Sequence, residues 1–341
     1  MKNIYIAYCI LLLASMAAYE SHGGAANASA VSDTVAHFNT LHAADKTMPT
    51  LVDGHAEVNG QTLHYVSAGS GQLVVLYHGF PSYWYAWKEQ LAQLAKHYRV
   101  VAVDGLGINL SDQPESIEHY KIQNLASQLN SFITQINGKQ EYILMGHDWG
   151  GALAWAYAQR YPDNIDKLVV FSAPPYNLFL ELLSGNADQQ QSSAYVNRLK
   201  SMADIELGPE AKDRMWSIGY SKLINNGLIS VDDGDQFRNA MHRGDTLLGG
   251  VKWYKANIPV FEEIEDSDFW PSRTASTSVP SLLVWGEKDR TFVAECIRRL
   301  PQYASDLRVE IIPNANHWPM FEAKEEVNTL VADFLELDQT P

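Results

Sequence analysis

The feature that most constrains the fold of this chain is a glycine-rich turn that reads GHDWGG at residues 146–151. An uninterrupted apolar run at residues 142–145 precedes it, and a helix-like segment of small and apolar residues at 152–158 follows it. This order predicts a buried strand, a tight reversal and a helix. The turn has the form G-x-nucleophile-x-G, which in that context presents its central side chain at the end of a strand. The central residue is Asp148, where serine is the usual occupant.

From residue 57 onward the chain alternates between strand-like and helix-like patterns. A hairpin is predicted at residues 57–66, and further strands are predicted at residues 73–77, 99–103, 142–145, 167–171, 281–285 and 308–312. Apolar runs separated by helices indicate a parallel sheet covered on both faces. Between residues 174 and 279 only helical segments occur. The sequence therefore predicts an α/β fold with a mostly parallel eight-stranded sheet and a helical lid inserted after the sixth strand.

These patterns divide the chain into five predicted segments. They are a signal peptide with its cleavage region at 1–30, a flexible leader at 31–50, the first part of the core at 51–174, the lid at 175–279 and the second part of the core at 280–341. The leader is predicted from a composition rich in alanine, serine, histidine and glycine, which offers little apolar surface to bury.

The N-terminal segment predicts export. Lys2 precedes an apolar run at residues 4–18, whose length of about 15 residues suits a signal-peptide core and is short for a membrane span. ASA at residues 28–30 is a cleavage pattern, and an uncleaved membrane anchor is the alternative. Cys9 would be lost with the signal, which leaves Cys296 without a partner for a disulfide. We therefore expect a periplasmic or secreted protein of bacterial type, without stable membrane association after cleavage.

The composition narrows the classes of partner. A chain of 341 residues with 46% hydrophobic and 19% charged residues is long enough and apolar enough for a large globular core. Its net charge of -15 argues against nucleic acid as a partner, because phosphate backbones attract basic surfaces. A small-molecule substrate remains the natural expectation, and the oligomeric state is left open.

Asp148 changes the chemistry expected at the turn. Its carboxyl group should be ionised at neutral pH, since an unperturbed aspartate has a pKa near about 4. A carboxylate attacks without a base and is suited to displacing a leaving group at saturated carbon, which forms an ester with the protein. Release of that ester requires activated water. The predicted base is His317, which follows the last strand, and the predicted orienting acid is Asp289, with Glu287 as the weaker alternative.

Hydrolysis of such an ester passes through an oxyanion, which needs hydrogen-bond donors. One predicted donor is the backbone N–H of Trp149, the residue after the nucleophile. The other is the backbone N–H of Phe80, in the loop HGFP at residues 78–81. Both lie directly after predicted strands, as do the three triad residues. Because the carboxyl ends of parallel strands share one edge of the sheet, these groups are expected to converge.

With these motifs the chain resembles the epoxide hydrolases of the α/β-hydrolase superfamily. The matching segments cover nearly all of residues 55–337 and are HGFP with its continuation SYWYAW at 82–87, GINLSD at 107–112, GHDWGG at 146–151 and NANHWP at 314–319. The resemblance implies an α/β-hydrolase fold and hydrolysis of an epoxide to a vicinal diol, without a cofactor or a metal. It also implies two lid tyrosines that donate to the epoxide oxygen. They are Tyr254, in GGVKWYK at 249–255, and Tyr195, in SSAYV at 192–196.

Two other functions remain open at this stage. A dehalogenase could use the same aspartate, histidine and acid, with the Trp149 indole donating to the halide. Haloalkane dehalogenases, however, commonly carry asparagine at the position of Phe80 or a further tryptophan in the lid, and fluoroacetate dehalogenases usually carry arginine at the position of Trp149. The second alternative is a hydrolase-fold protein that binds a ligand without turnover, against which the complete set of catalytic residue types argues.

Overall fold

A computed structural model describes residues 29–202 and 204–337 of the chain. Within this part, eight strands form one sheet: β1 (Val52–Val58), β2 (Gln61–Ala68), β3 (Leu73–Tyr77), β4 (Arg99–Val103), β5 (Tyr142–His147), β6 (Ile165–Phe171), β7 (Ser281–Gly286) and β8 (Leu307–Ile312). Nearly all of the predicted signal peptide, including Cys9, lies outside the described residues. No helix within them is long and apolar enough to cross a membrane.

The sheet has the strand order β1-β2-β4-β3-β5-β6-β7-β8. Strand β2 runs antiparallel to both of its neighbours, and all other neighbouring pairs are parallel. The central strands β3, β5 and β7 are buried at every position. This explains their continuous apolar sequences, since both faces of a covered parallel strand pack against side chains. The predicted fold class is confirmed, and β3 and β4 have the predicted bounds.

Helices cover the sheet and form the insertion between β6 and β7. They are α1 (Ser29–Leu41), α2 (Lys88–Leu94), α3 (Ile122–Asn137), α4 (Trp149–Arg160), α5 (Tyr176–Gly185), α6 (Ala187–Ser192), α7 (Ala194–Ser201), α8 (Pro209–Asn225), α9 (Val231–His242), α10 (Thr246–Asn257), α11 (Glu295–Arg299), α12 (Pro319–Glu322) and α13 (Lys324–Phe334). Helices α5 to α10 lie in the insertion, where the sequence predicts the helical lid. The predicted lid boundaries at residues 175 and 279 remain a prediction.

The N-terminal helix α1 corrects one expectation. The sequence predicts a flexible leader at residues 31–50, whereas Ser29–Leu41 is helical with Val35 and Phe38 buried. The two apolar residues are three positions apart and therefore share one face of a helix. Thr34 Oγ1 also donates a hydrogen bond of 2.8 Å to Gln236 Oε1 in α9. The composition of the segment did not indicate that Val35 and Phe38 would be buried. Through Thr34, the helix contacts the insertion.

Three further hydrogen bonds fix the insertion on the core. Asp233 of α9 accepts hydrogen bonds from the Tyr85 hydroxyl at 2.9 Å and from the Lys88 ammonium at 2.7 Å. The indole N–H of Trp253 in α10 donates to the Leu106 carbonyl at 2.8 Å. Because Asp233 is 4% exposed, its charge is largely desolvated and depends on these donors. Helix α10, which carries Tyr254, is thereby held in a defined position over the sheet edge.

A second ionic group joins β1, β2 and the end of β4. His64 Nδ1 donates to Asp104 Oδ2 at 2.6 Å, and His64 Nε2 donates to Asp53 Oδ1 at 3.1 Å. Burial alone would lower the pKa of His64, but the Asp104 and Asp53 carboxylates outweigh it and raise that pKa to about 9. Asp104 also accepts the backbone N–H of Trp84 at 2.9 Å and so joins β4 to the segment after the HGFP loop.

We expect His64→Gln to lower the free energy of unfolding more strongly near neutral and mildly acidic pH than in alkali. The folded-state pKa lies above the unfolded value, so the stabilisation is fully present below about pH 6.5 and is lost as the pH rises through 9. Denaturant unfolding of both proteins should show a gap that shrinks by roughly 3 kcal/mol over that range. The exposed His97, changed to glutamine, is the control. A gap independent of pH would contradict the ion pair.

Candidate active site

Asp148 lies at the turn between β5 and α4 with φ of 51° and ψ of -120°. A non-glycine residue with positive φ is strained, and such strain is typical of residues that are held at functional sites. The turn closes because its flanking glycines lack side chains. A Cβ on Gly146 would lie 2.3 Å from the Gly150 carbonyl oxygen, and a Cβ on Gly150 would lie 2.1 Å from the Tyr77 carbonyl oxygen. The sequence GHDWGG thus forms the predicted strand, turn and helix.

The three predicted triad residues come together at the carboxyl edge of the sheet. Asp148 follows β5, Asp289 follows β7 and His317 follows β8. His317 Nδ1 lies 2.9 Å from Asp289 Oδ2, and His317 Nε2 lies 3.3 Å from Asp148 Oδ2. The Asp289 side chain has no exposed surface, whereas Glu287 is exposed. The structure therefore pairs His317 with Asp289, the first of the two candidate acids.

The electrostatics of this group favour an ionised Asp148. Burial opposes ionisation, but hydrogen bonding and charge from His317, with the Phe80 backbone N–H, hold the pKa of Asp148 below its usual value. Burial alone would lower the pKa of His317, yet the Asp289 and Asp148 carboxylates raise it well above its ordinary range. In this state His317 carries a proton between two carboxylates, and its basicity depends on the charge of Asp148.

One of the two predicted oxyanion donors, Phe80, contacts the Asp148 carboxylate, and the other, Trp149, follows Asp148 in the chain. The backbone N–H of Phe80 donates to Asp148 Oδ1 at 2.8 Å. Gly79 permits this approach, because a Cβ there would lie 2.4 Å from Asp148 Cβ. Trp149 is the first residue of α4, and the N–H groups of a first helical turn have no partner within the helix. The pairing of Tyr77 with Gly146 in the parallel register of β3 and β5 places these two loops side by side.

The two predicted lid tyrosines face the same pocket as Asp148. Their ring centroids are 6.2 Å apart, and Tyr254 meets Trp149 edge-on at 5.1 Å. Tyr254 is buried, whereas Tyr195 is 42% exposed as a residue although its hydroxyl is buried. Burial and the nearby Asp148 carboxylate raise the pKa of both phenols well above the ordinary value, so both remain protonated. Both side chains are thus hydrogen-bond donors at neutral pH.

The pocket has walls of Trp149 and the two tyrosines, which the sequence indicated, and of four residues that it did not. These four are Ala152, Pro174, Phe179 and Phe292. The Phe179 and Phe292 rings meet edge-to-face at 5.3 Å. Phe292 lies three residues after Asp289, a proximity that could have suggested it. Phe179 carried no such signal, because its place depends on how α5 packs.

Comparison with known proteins agrees with this geometry. A family model described as the alpha/beta hydrolase fold matches residues 72–324. Epoxide hydrolase 3 of Xenopus tropicalis is 32% identical over 292 residues, which are 82% of this chain and 76% of that protein. The AB hydrolase superfamily protein YfhM of Bacillus subtilis (strain 168) is 30% identical over 283 residues, covering 81% and 95%.

Solved structures give the same result. The crystal structure of a Bacillus megaterium epoxide hydrolase in complex with an inhibitor aligns with a TM-score of 0.73 at 28% identity. The alignment covers 83% of this chain and 100% of that one. Fold, family model and similar sequences therefore agree with one another. This chain is a hydrolase that belongs to the α/β-hydrolase fold family and, within it, to the epoxide hydrolases.

Proposed function

We propose that this protein hydrolyses epoxides to vicinal diols through a covalent ester on Asp148. The observation that carries the proposal is the pocket itself, in which an ionised carboxylate faces two protonated phenols. An epoxide presents an electrophilic carbon and a basic oxygen on adjacent atoms. The carboxylate suits the carbon and the phenols suit the oxygen. The names of the similar proteins support the same reaction.

In the proposed first step, Asp148 Oδ2 attacks one carbon of the epoxide ring. Oδ1 is held by the Phe80 N–H, which leaves Oδ2 as the oxygen that forms the new bond. As the C–O bond of the ring breaks, its electron pair moves to the ring oxygen. The Tyr254 and Tyr195 hydroxyls stabilise this developing alkoxide. The product of the step is an alkyl ester on Asp148 with a neighbouring hydroxyl group.

The second step depends on a change of charge beside His317. Esterification removes the negative charge of Asp148, one of the two charges that hold the pKa of His317 high. His317 then releases its proton, which balances the proton that the alkoxide gains. The neutral imidazole, oriented by Asp289, takes a proton from water, and the water oxygen attacks the ester carbonyl. The oxyanion forms at Oδ1, which accepts the Phe80 N–H, with the Trp149 N–H as the second proposed donor. Its collapse breaks the bond between the carbonyl carbon and Oδ2, and the diol leaves with Oδ2 and the proton that His317 took from water.

We further propose that the substrate is a small, uncharged and largely apolar molecule. Asp148 is the single charged residue among those that line the described pocket, and apart from the two neutral phenols the walls are aromatic or aliphatic. A substrate with a carboxylate would approach the buried negative charge of Asp148 without a compensating cation in that lining, which is unfavourable in a low-dielectric site. Neutral aryl epoxides, such as styrene oxide, match these walls because aromatic rings pack edge-to-face with Phe179 and Phe292.

Heavy-oxygen water tests the covalent mechanism directly. In a single turnover in labelled water with excess protein, one labelled oxygen should enter the Asp148 side chain, because water attacks the ester carbonyl rather than the substrate carbon. Mass spectrometry of the peptide that contains Asp148 measures the label. The same protein incubated in labelled water without an epoxide is the control. Label found in the diol alone would show direct attack of water and would refute the ester.

A further inference from the structure

The loop that carries His317 is held by a carboxylate outside the pocket. Glu322, the last residue of α12, accepts two hydrogen bonds from Asn316, the residue before His317. The Asn316 backbone N–H donates to Glu322 Oε2 at 2.5 Å, and the Asn316 side-chain amide donates to Glu322 Oε1 at 3.0 Å. Both oxygens of the Glu322 carboxylate therefore bind a single residue of the loop. Glu322 itself lies five positions after His317 in the chain.

A second anchor holds the other side of the same loop. The buried ring of His147 donates from Nε2 to the His317 carbonyl oxygen at 2.8 Å. Burial and the neighbouring His317 lower the pKa of His147 to about 4, so the ring is neutral and its Nε2 carries the donated hydrogen. Glu322 thus holds the backbone N–H and the side chain of Asn316, one residue before His317. His147 holds the peptide group that follows the His317 Cα.

Close packing restricts the loop that carries His317 to one position. A Cβ on Gly286, at the end of β7, would lie 1.9 Å from the Asn316 carbonyl oxygen, so the loop packs directly against the strand that leads to Asp289. The backbone N–H of Lys288 also donates to the Ala315 carbonyl at 2.8 Å. A shift of Asn316 would consequently move His317 relative to both Asp289 and Asp148.

Glu322 has no competing role as an ion-pair partner in the part of the chain that the structure describes. None of the lysine, arginine or histidine side chains there lies within 4.0 Å of its carboxylate in an ion pair. Within the same residues, the hydrogen bonds that this carboxylate accepts come from Asn316 alone. Hydrogen bonds from N–H groups to a charged acceptor are stronger than those between neutral groups, which suits a carboxylate whose task is to hold a loop.

We propose that Glu322 is a positioning residue for the hydrolysis of the alkyl–Asp148 ester. It acts through Asn316 to hold His317 Nε2 where water can be activated beside the ester carbonyl. This inference rests on the proposed function, because it assigns Glu322 to the second of the two proposed steps. Attack by Asp148 needs no base, so ester formation depends less on the exact place of His317 than ester hydrolysis does. Loss of Glu322 should therefore separate the two rates.

Transient kinetics with styrene oxide as the probe test this separation. Rapid quenching and mass spectrometry of the intact protein give the rate of ester formation and the rate of ester loss. In Glu322→Ala we expect ester formation near the wild-type rate and ester loss slower by about 10- to 100-fold. A displacement of a catalytic group by about 1 Å can lower a rate by about that factor. The ester should accumulate in the steady state, and kcat and KM should fall together.

Two further variants make the outcome decisive. Glu322→Gln keeps a side-chain oxygen for the Asn316 N–H and should restore part of the rate of ester loss. Glu326→Gln removes an exposed carboxylate on α13 and should behave as wild type. Equal slowing of both steps, or a smaller fraction of protein that forms the ester, would show a general structural role and overturn the inference. So would ester loss at the wild-type rate in Glu322→Ala. If the wild-type protein forms no ester on Asp148, the proposed function itself is wrong.

Discussion

Replacing His317 with glutamine should leave an ester on Asp148 that mass spectrometry detects as a gain equal to the mass of the intact epoxide. Glutamine removes the base that activates water but leaves the carboxylate free to attack. The contribution of a positioned general base is about 10²- to 10⁴-fold, and turnover should fall by that factor. Ester formation should continue at a rate that a single turnover can follow. The ester should map to the peptide that contains residues 146–151.

The matched control is His119→Gln, which changes an exposed histidine far from the triad in sequence and should turn over normally. An adduct on any other residue would overturn the assignment of Asp148 as the nucleophile. Haloalkanes offered to the same variant distinguish the rival reaction. A mass gain equal to the alkyl group after loss of halide would establish dehalogenation. The absence of any adduct from either class would favour a protein that binds without turnover.

Removing both lid hydroxyls, in the double variant Tyr254→Phe and Tyr195→Phe, should nearly abolish the opening of the epoxide. Each donor that stabilises the developing alkoxide is worth about 3 kcal/mol, so each loss should slow ester formation by on the order of 100-fold. The effect should fall on ester formation rather than on ester loss, which is the reverse of the His317→Gln result. Single-turnover measurements of both steps would show the difference.

The single variants rank the two donors. Tyr254 is buried against Trp149 and Phe80, whereas Tyr195 is 42% exposed as a residue although its hydroxyl is buried. A side chain with fewer packing contacts is held less firmly, so Tyr254→Phe should be the more damaging change. Tyr161→Phe, at the end of α4 remote from the pocket, is the control. Near-normal ring opening in the double variant would mean that the oxygen donors are other residues.

The sheet and the triad were predictable because both rest on short-range patterns. Strands β3 and β4 coincide with apolar runs at residues 73–77 and 99–103, since a strand buried on both faces needs an apolar side chain at almost every position. Asp148, Asp289 and His317 each come directly after such a run. Parallel strands bring their carboxyl ends to one edge, so their convergence follows from topology alone.

The insertion and the N-terminal helix were harder to predict because they depend on packing between distant segments. The place of Phe179 in the pocket wall follows from the angle at which α5 leaves β6, on which the sequence is silent. Helix α1 becomes stable through Val35, Phe38 and the contact of Thr34 with α9. The contacts of Asn316 with Glu322 join residues six apart in a turn, where no periodic pattern indicates them.

The hydrogen bond from the Phe80 N–H to Asp148 Oδ1 determines which carboxylate oxygen would be exchanged with water during turnover. In the proposed mechanism, Oδ1 would keep this hydrogen bond through every cycle, first in the oxyanion and then in the carbonyl group. Oδ2 would leave with the diol, and an oxygen atom from water would take its place. Each diol would then contain an oxygen that the protein acquired one cycle earlier. Every oxygen atom taken from water would therefore remain in the Asp148 carboxylate for one cycle before it leaves in a diol.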